Sequence, residues 1–230
     1  MEEKLAIAQS LKYAEELQQL YVREREQRSK VEEAVARLEE SYATTVRALA
    51  AALELRDDGT GAHADRVTTL ALLLAAEVAP DLTADPELEY GFLLHDLGKI
   101  GVPDAILLKP GPLTRREMED MRYHPILGEK IVAGIPYLNG VARQVVAAHH
   151  ERWDGDGYPR GLAGPRIPLS ARIFAVADAF DAMTNDRPYR KALTFQVSLS
   201  EIVTGAGAQF DPELVDAFVE LAPTLSKAAA

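Results

Sequence analysis

In the stretch LLHDLGKIGVPD from Leu93 to Asp104, His95 and Asp96 are adjacent and Lys99 follows one turn later. A neighbouring imidazole and carboxylate can bind one metal or bridge two, and a lysine three residues on can offer its charge to a phosphate oxygen. The same pair is also the ordinary makeup of a hydrogen-bonded helix end. The remaining histidines separate these readings. His63, His95, His124, His149 and His150 are all the histidines of the chain, and each falls at a helix end or beside a turn. Joined by Asp96 and Asp178, in a chain without cysteine, they read as a nitrogen and oxygen site for hard or borderline cations.

The elements that must position these residues read as helices. Residues 2 to about 55 lack glycine and proline and are rich in Glu, Lys, Arg, Gln, Leu and Ala, so they form one long helix. A 4-3 spacing threads Ala14, Leu17, Tyr21, Val31, Val35, Leu38, Tyr42, Thr45, Leu49 and Ala52, interrupted by Glu24 and Arg28. That seam predicts a homodimeric coiled coil, against the plainer alternative of a helix lying on its own domain. After a turn at Asp57, Asp58, Gly59 and Gly61, helices are expected from Ala62 to Ala79, from Pro86 (capped by Asp85) to Asp96, after a Thr114–Glu117 capping box, and from Pro125. Further helices are expected over Val141 to Arg152, Leu169 to Asn185, Thr194 to Thr204 and Pro212 to Leu221. No alternating strand pattern is present, so the expected class is all-α, with residues 1–55 as a coiled-coil segment and 56–230 as the globular domain.

Composition narrows the partners. With 25 basic and 36 acidic residues among 230, the net charge of -11 argues against non-specific binding to a DNA or RNA polymer or to an anionic membrane. An anionic substrate then needs local cations. The N-terminus lacks a signal pattern, and the longest apolar run, around Leu70 to Ala79, is too short to span a bilayer. The expectation is a soluble, cytoplasmic chain with no membrane span.

The motifs HDLGKIGVPD, HHERWDGDGYP and VADAFDAMTNDRPYR together resemble the HD-GYP family of metal-dependent cyclic di-GMP phosphodiesterases. The resemblance covers His63 to Leu221, and the N-terminal helix is similar only to the coiled linkers found before such domains. It implies an HD-type helical bundle whose divalent metals (Fe, Mn, Ni or Zn) sit on His63, His95, Asp96, His124, His149, His150 and Asp178. It implies that Lys99, Tyr158, Arg187 and Arg190 contact the phosphates or guanine of cyclic di-GMP, that Asp181 holds the attacking hydroxide, and that GGDEF-type cyclases are partners of the Gly-Tyr-Pro loop. Some members hold a third metal on a glutamate four residues before the first histidine. Here that position is Gly59, so two ions are expected.

The residue types agree with that chemistry. In phosphodiester hydrolysis two cations lower the pKa of a shared water and neutralise charge building on the equatorial oxygens. Lys99, Arg187 and Arg190 supply further positive charge, unless they form surface salt bridges, and Tyr158 can present its ring to a guanine face, although Gly-Tyr-Pro alone is an ordinary turn. The expected product is linear pGpG, with any further cut to GMP slower than the first because one cation fewer is there to hold a second phosphate. The competing readings are a non-catalytic receptor signalling through the coiled coil, which the intact ligand set disfavours, and an HD-type hydrolase of another nucleotide, which need not carry His149-His150 or the Gly-Tyr-Pro loop.

Overall fold

The computed structural model describes residues 1–57, 63–186 and 191–228. Asp58, Gly59, Gly61, Ala62, Arg187 and Arg190, on which the expected turn, start of the second helix, missing third-metal ligand and two phosphate contacts rest, lie outside the described residues. Among the described residues the chain is helical, without a strand, as expected. The α-helices are α1 (Glu2–Asp57), α2 (His63–Val78), α3 (Pro86–Leu93), α4 (Asp104–Leu107), α5 (Arg115–Met121), α6 (His124–Val132), α7 (Val141–Ala148), α8 (Leu169–Thr184), α9 (Phe195–Thr204) and α10 (Pro212–Ala228). No helix of the described residues is long and apolar enough to cross a membrane.

The chain divides into two compact units, residues 1–45 and 46–230, so the last turns of α1 belong to the second unit rather than to the 1–55 segment expected from sequence. In the first unit Leu17, Tyr21, Val31, Val35 and Leu38 are all exposed. Its helix is supported by pairs one turn apart, Lys12 with Glu16 at 3.9 Å and Arg28 with Glu32 at 2.9 Å, which contribute a few tenths of a kcal/mol each, about 0.3 to 0.5.

In the second unit α2 packs along α8, α3 along α7, and α6 against α7 and the tight turn Leu97–Gly101. The spacing of Val67, Ala71 and Leu74 on α2 and of Ile173, Phe174, Ala177 and Phe180 on α8 puts each set on one helix face, and all are buried. Phe174 stacks on Phe92 of α3 at 5.4 Å, and Phe180 meets Phe218 of α10 at 5.0 Å. Burying each such ring contributes about 2 to 3 kcal/mol. The core ends directly beneath the histidines, since Phe174 lies 4.6 Å from the ring of His95 and 6.1 Å from that of His149.

Helix starts follow the local chemistry. Asp85 accepts from Glu87 N–H, Thr114 and Glu117 form the capping box, and Thr194 accepts from Val197 N–H. Helix ends depart more. α7 stops at Ala148 instead of continuing to Arg152, because the carboxylate of Glu151 leaves the helix to accept from Arg160 N–H at 2.8 Å and Leu162 N–H at 2.9 Å. α3 likewise ends at Leu93, leaving His95 and Asp96 in the turn that follows. α10 runs past Leu221 to Ala228 with Pro223 inside it.

Candidate metal centre

Close backbone approach assembles the centre. A side chain on Gly98 would come within 1.8 Å of the His124 carbonyl oxygen and 2.5 Å of Gly128 N, so only glycine lets the turn after Asp96 lie against the start of α6. That contact brings Asp96 and His124 together. α7 then delivers His149 and His150 at its end, while α8 presents Asp178 and Asp181 one turn apart towards His63 at the start of α2.

Asp96 is the junction. Its Oδ2 lies 3.1 Å from His95 Nε2 and 2.9 Å from Lys99 Nζ, and its Oδ1 lies 3.2 Å from His124 Nε2 and 3.8 Å from His149 Nε2. Oδ1 is buried and makes no hydrogen bond, although His124 Nε2 lies only 3.2 Å away. Burial acts to raise the Asp96 pKa, but Lys99 and His95, with His124 and His149 beside them, outweigh it and hold the group well below the usual carboxylate range.

The histidines are set to offer lone pairs. His95, His124 and His149 direct Nδ1 at the carbonyls of Phe92 (2.9 Å), Met121 (2.8 Å) and Val146 (3.0 Å), each three residues earlier in sequence. A carbonyl can only accept, so Nδ1 carries a proton, and in the neutral ring Nε2 is the nitrogen left to offer a lone pair inward. The Nε2 atoms of His124 and His149 then face each other at 3.2 Å. Two lone pairs at that distance repel unless a cation lies between them. Burial, with the adjoining imidazoles, pushes the pKa of His149 down and that of His150 well down, which keeps both rings neutral as cation ligands must be. One ligand atom from each of Asp96, His124, His149 and His150 lies within 4.8 Å of the others. This donor set fits a divalent ion.

The second half of the centre is built differently. His63 Nδ1 donates to Asp181 Oδ2 at 2.7 Å, and its Nε2 is 3.3 Å from Asp178 Oδ1. Burial lowers the His63 pKa, but hydrogen bonds to Asp178 and Asp181 outweigh it and raise it to about 9. Asp178 is depressed well below the usual carboxylate range, its burial outweighed chiefly by the hydrogen bond and charge of His63. His63 thus turns a protonated Nε2 towards Asp178.

The expected residues do not all converge in one role. Asp181 is 5% exposed, and both its oxygens are taken: Arg66 donates Nε to Oδ1 at 2.7 Å and Nη2 to Oδ2 at 3.0 Å, and Asn185 Nδ2 donates to Oδ1 at 2.8 Å. This carboxylate orients His63, a different placement from the hydroxide-holding role implied by the resemblance. Tyr158 lies 4.6 Å from the His150 ring at a shallow 31°, with the Arg122 guanidinium 5.2 Å from its centroid. Burial pushes its hydroxyl pKa well up.

Arg66, Arg122 and Glu151 were not among the residues singled out in the sequence. Arg66 stands one helical turn after His63, a spacing that places both on one face of α2, and Glu151 directly follows His150. Buried Glu151 holds the loop carrying Tyr158, and Glu129 adds an ion pair to Arg160.

A family model described as HD domain matches residues 47–214. The chain is 43% identical over 183 residues to the cyclic di-GMP phosphodiesterase response regulator RpfG of Xanthomonas campestris, covering 79% of this chain and 48% of that protein. It is 43% identical over 170 residues to a cyclic di-GMP phosphodiesterase of Thermotoga maritima, covering 73% and 46%. The chain therefore spans about half the length of these curated relatives. Among solved structures, a cyclic GMP-AMP specific phosphodiesterase of Vibrio cholerae superposes with a TM-score of 0.58 at 20% identity, over 78% of this chain and 48% of that one, a likeness of fold.

Proposed function

The chain belongs to the HD domain family, and from that membership we propose that it hydrolyses cyclic di-GMP to linear pGpG, any further cut to GMP being slower, at a centre of two divalent ions. The observation that carries the reading is the carboxylate of Asp96, which turns one oxygen to His124 and His149 and the other to His95. The first ion would be held by Asp96, His124, His149 and His150, and the second by His63, His95, Asp96 and Asp178. Fe, Mn, Ni and Zn all suit these nitrogen and oxygen donors. The chemistry supplied by ions held there is activation of a water and neutralisation of charge on the phosphoryl oxygens.

The chain's own residues do the rest. Lys99 holds its ammonium beside Asp96, where it meets a non-bridging phosphate oxygen, with Arg187 and Arg190 as further phosphate contacts. Phe174 closes the floor of the site with hydrocarbon, which strengthens each electrostatic contact above it. Tyr158 borders the ring cluster where a guanine docks. In the reaction one phosphoester bond opens, the oxygen of a water ends on phosphorus, and the released sugar oxygen takes a proton. Asp181 acts through His63.

A homodimer through residues 14–52 belongs to the same proposal, supported by the exposed seam. Cytoplasmic placement agrees with the absence of cysteine. GGDEF-type cyclases as partners of the Gly-Tyr-Pro loop rest on the family resemblance alone. The test is incubation of the metal-loaded chain with cyclic di-GMP and separation of products by chromatography. Appearance of pGpG supports the reading, and unchanged substrate in the presence of each of the four metals contradicts it.

A further inference from the structure

The tight turn Leu97–Gly101 carries Lys99, whose carbonyl accepts the turn's closing bond from Val102 N–H at 3.0 Å. Arg56, in the last turn of α1, adds donors to the carbonyls of Lys99 and Val102. Its Nη1 donates to the Lys99 carbonyl at 2.9 Å and its Nη2 to the Val102 carbonyl at 2.8 Å, while Nη2 and Nε reach Asp104 Oδ1 at 2.7 and 3.2 Å. A guanidinium is a rigid planar fork, so bonds to these three acceptors fix the peptide of Lys99 relative to α1. Two residues earlier the carboxylate of Glu54 accepts from Ala64 N–H, beside His63 at the start of α2. One helical turn therefore anchors the backbone of Lys99 and the backbone next to His63, which belong to the two sides of Asp96.

We propose that Arg56 is a positioning residue for the reaction: it sets Lys99 against the scissile phosphate, and the rate follows the placement of the last turn of α1. The inference rests on the reading of Lys99 as a phosphate contact. Arg56 touches neither Asp96 nor any histidine of the centre in the contacts above, so it acts through the turn alone and metal content is independent of it.

A double-mutant cycle on the full chain tests this, using Arg56→Gln, Lys99→Ala and the pair. Arg56→Gln is expected to lower kcat about tenfold, with metal per chain unchanged, and to have no further effect once Lys99 is alanine. Arg56→Lys keeps the charge but loses the fork, and restores only part of the rate. Asp104→Asn, a milder exposed change, gives a smaller loss that also vanishes in the Lys99→Ala background. Equal losses in the presence and absence of Lys99 overturn the proposal, because they describe a general structural role. Hydrogen exchange of the segment 97–104 separates failure of this inference from failure of the substrate assignment. Exchange faster in Arg56→Gln than in the parent supports the anchoring even if cyclic di-GMP is not turned over, and unchanged exchange overturns it.

Discussion

His124 and His149 point their Nε2 atoms at each other across 3.2 Å, while each commits Nδ1 to a backbone carbonyl one turn earlier. A pair of core histidines held only for packing would exchange a proton along that line, with one ring donating to the other. The carbonyls deny both rings that option, and the remedy is a shared cation. His149→Ala should lower metal affinity by more than the roughly 10 to 100-fold that loss of a supporting hydrogen bond costs. Isothermal titration of chelator-treated protein measures it, and an affinity equal to the parent's removes His149 from the ligand set.

Asp181→Asn tells an orienting carboxylate from a hydroxide-holding one. The asparagine still meets Arg66 or His63 in part but no longer holds His63 by charge, so metal affinity should fall about 10 to 100-fold. Saturating metal should then restore most of the rate. A rate that stays low with full metal occupancy assigns Asp181 to the reacting atoms instead.

Acidity divides the centre into two halves with different pH behaviour. In protein stripped of metal, His63 has a pKa raised from the ordinary 6.5 to about 9. A raised value means that its contribution to stability is fully present below about 6.5 and is lost as the pH rises through about 9. The melting temperature of the stripped parent should thus fall towards that of stripped His63→Gln over this interval. Loading the His63 side must expel that proton, whereas His149 and His150 are already neutral. Calorimetry at pH 7 in buffers of different ionisation enthalpy should find about one proton released on filling the second ion site. No release, or equal release at both sites, contradicts the division.

The exposed seam of α1 predicts a parallel homodimer. Sedimentation of the full chain at micromolar concentration should give a dimer, with Leu17→Glu and Leu38→Glu shifting it to monomer. A monomeric parent removes the coiled coil, and Glu24 and Arg28 are the places where the seam is weakest.

Much of this architecture could be read from residue types. The five histidines, the Thr114–Glu117 capping box and the proline starts of α3 and α10 are local signals, carried by side-chain chemistry within one turn. What was hidden depends on partners distant in sequence. Glu151 looks like a helical residue until the loop at Arg160 and Leu162 comes back to it, which is why α7 ends early. Arg56 carries no local signal, and its role is visible only where Lys99 and Val102, more than 40 residues on, place their carbonyls beneath it. Arg66 and Asp181 are likewise far apart in sequence, and the pair is visible only once α2 lies on α8. The tautomers of His95, His124 and His149 follow from carbonyls that only a folded turn aims at Nδ1.

Cyclic di-GMP turnover by the metal-loaded parent, Asp96→Ala and Lys99→Ala, with metal per chain determined on the same samples, tests the centre most directly. The parent should carry about two ions and release pGpG, Asp96→Ala should lose both metal and activity, and Lys99→Ala should keep its metal while kcat falls about 100 to 1,000-fold. Asp96→Ala hydrolysing the substrate as fast as the parent would contradict the assignment of the centre.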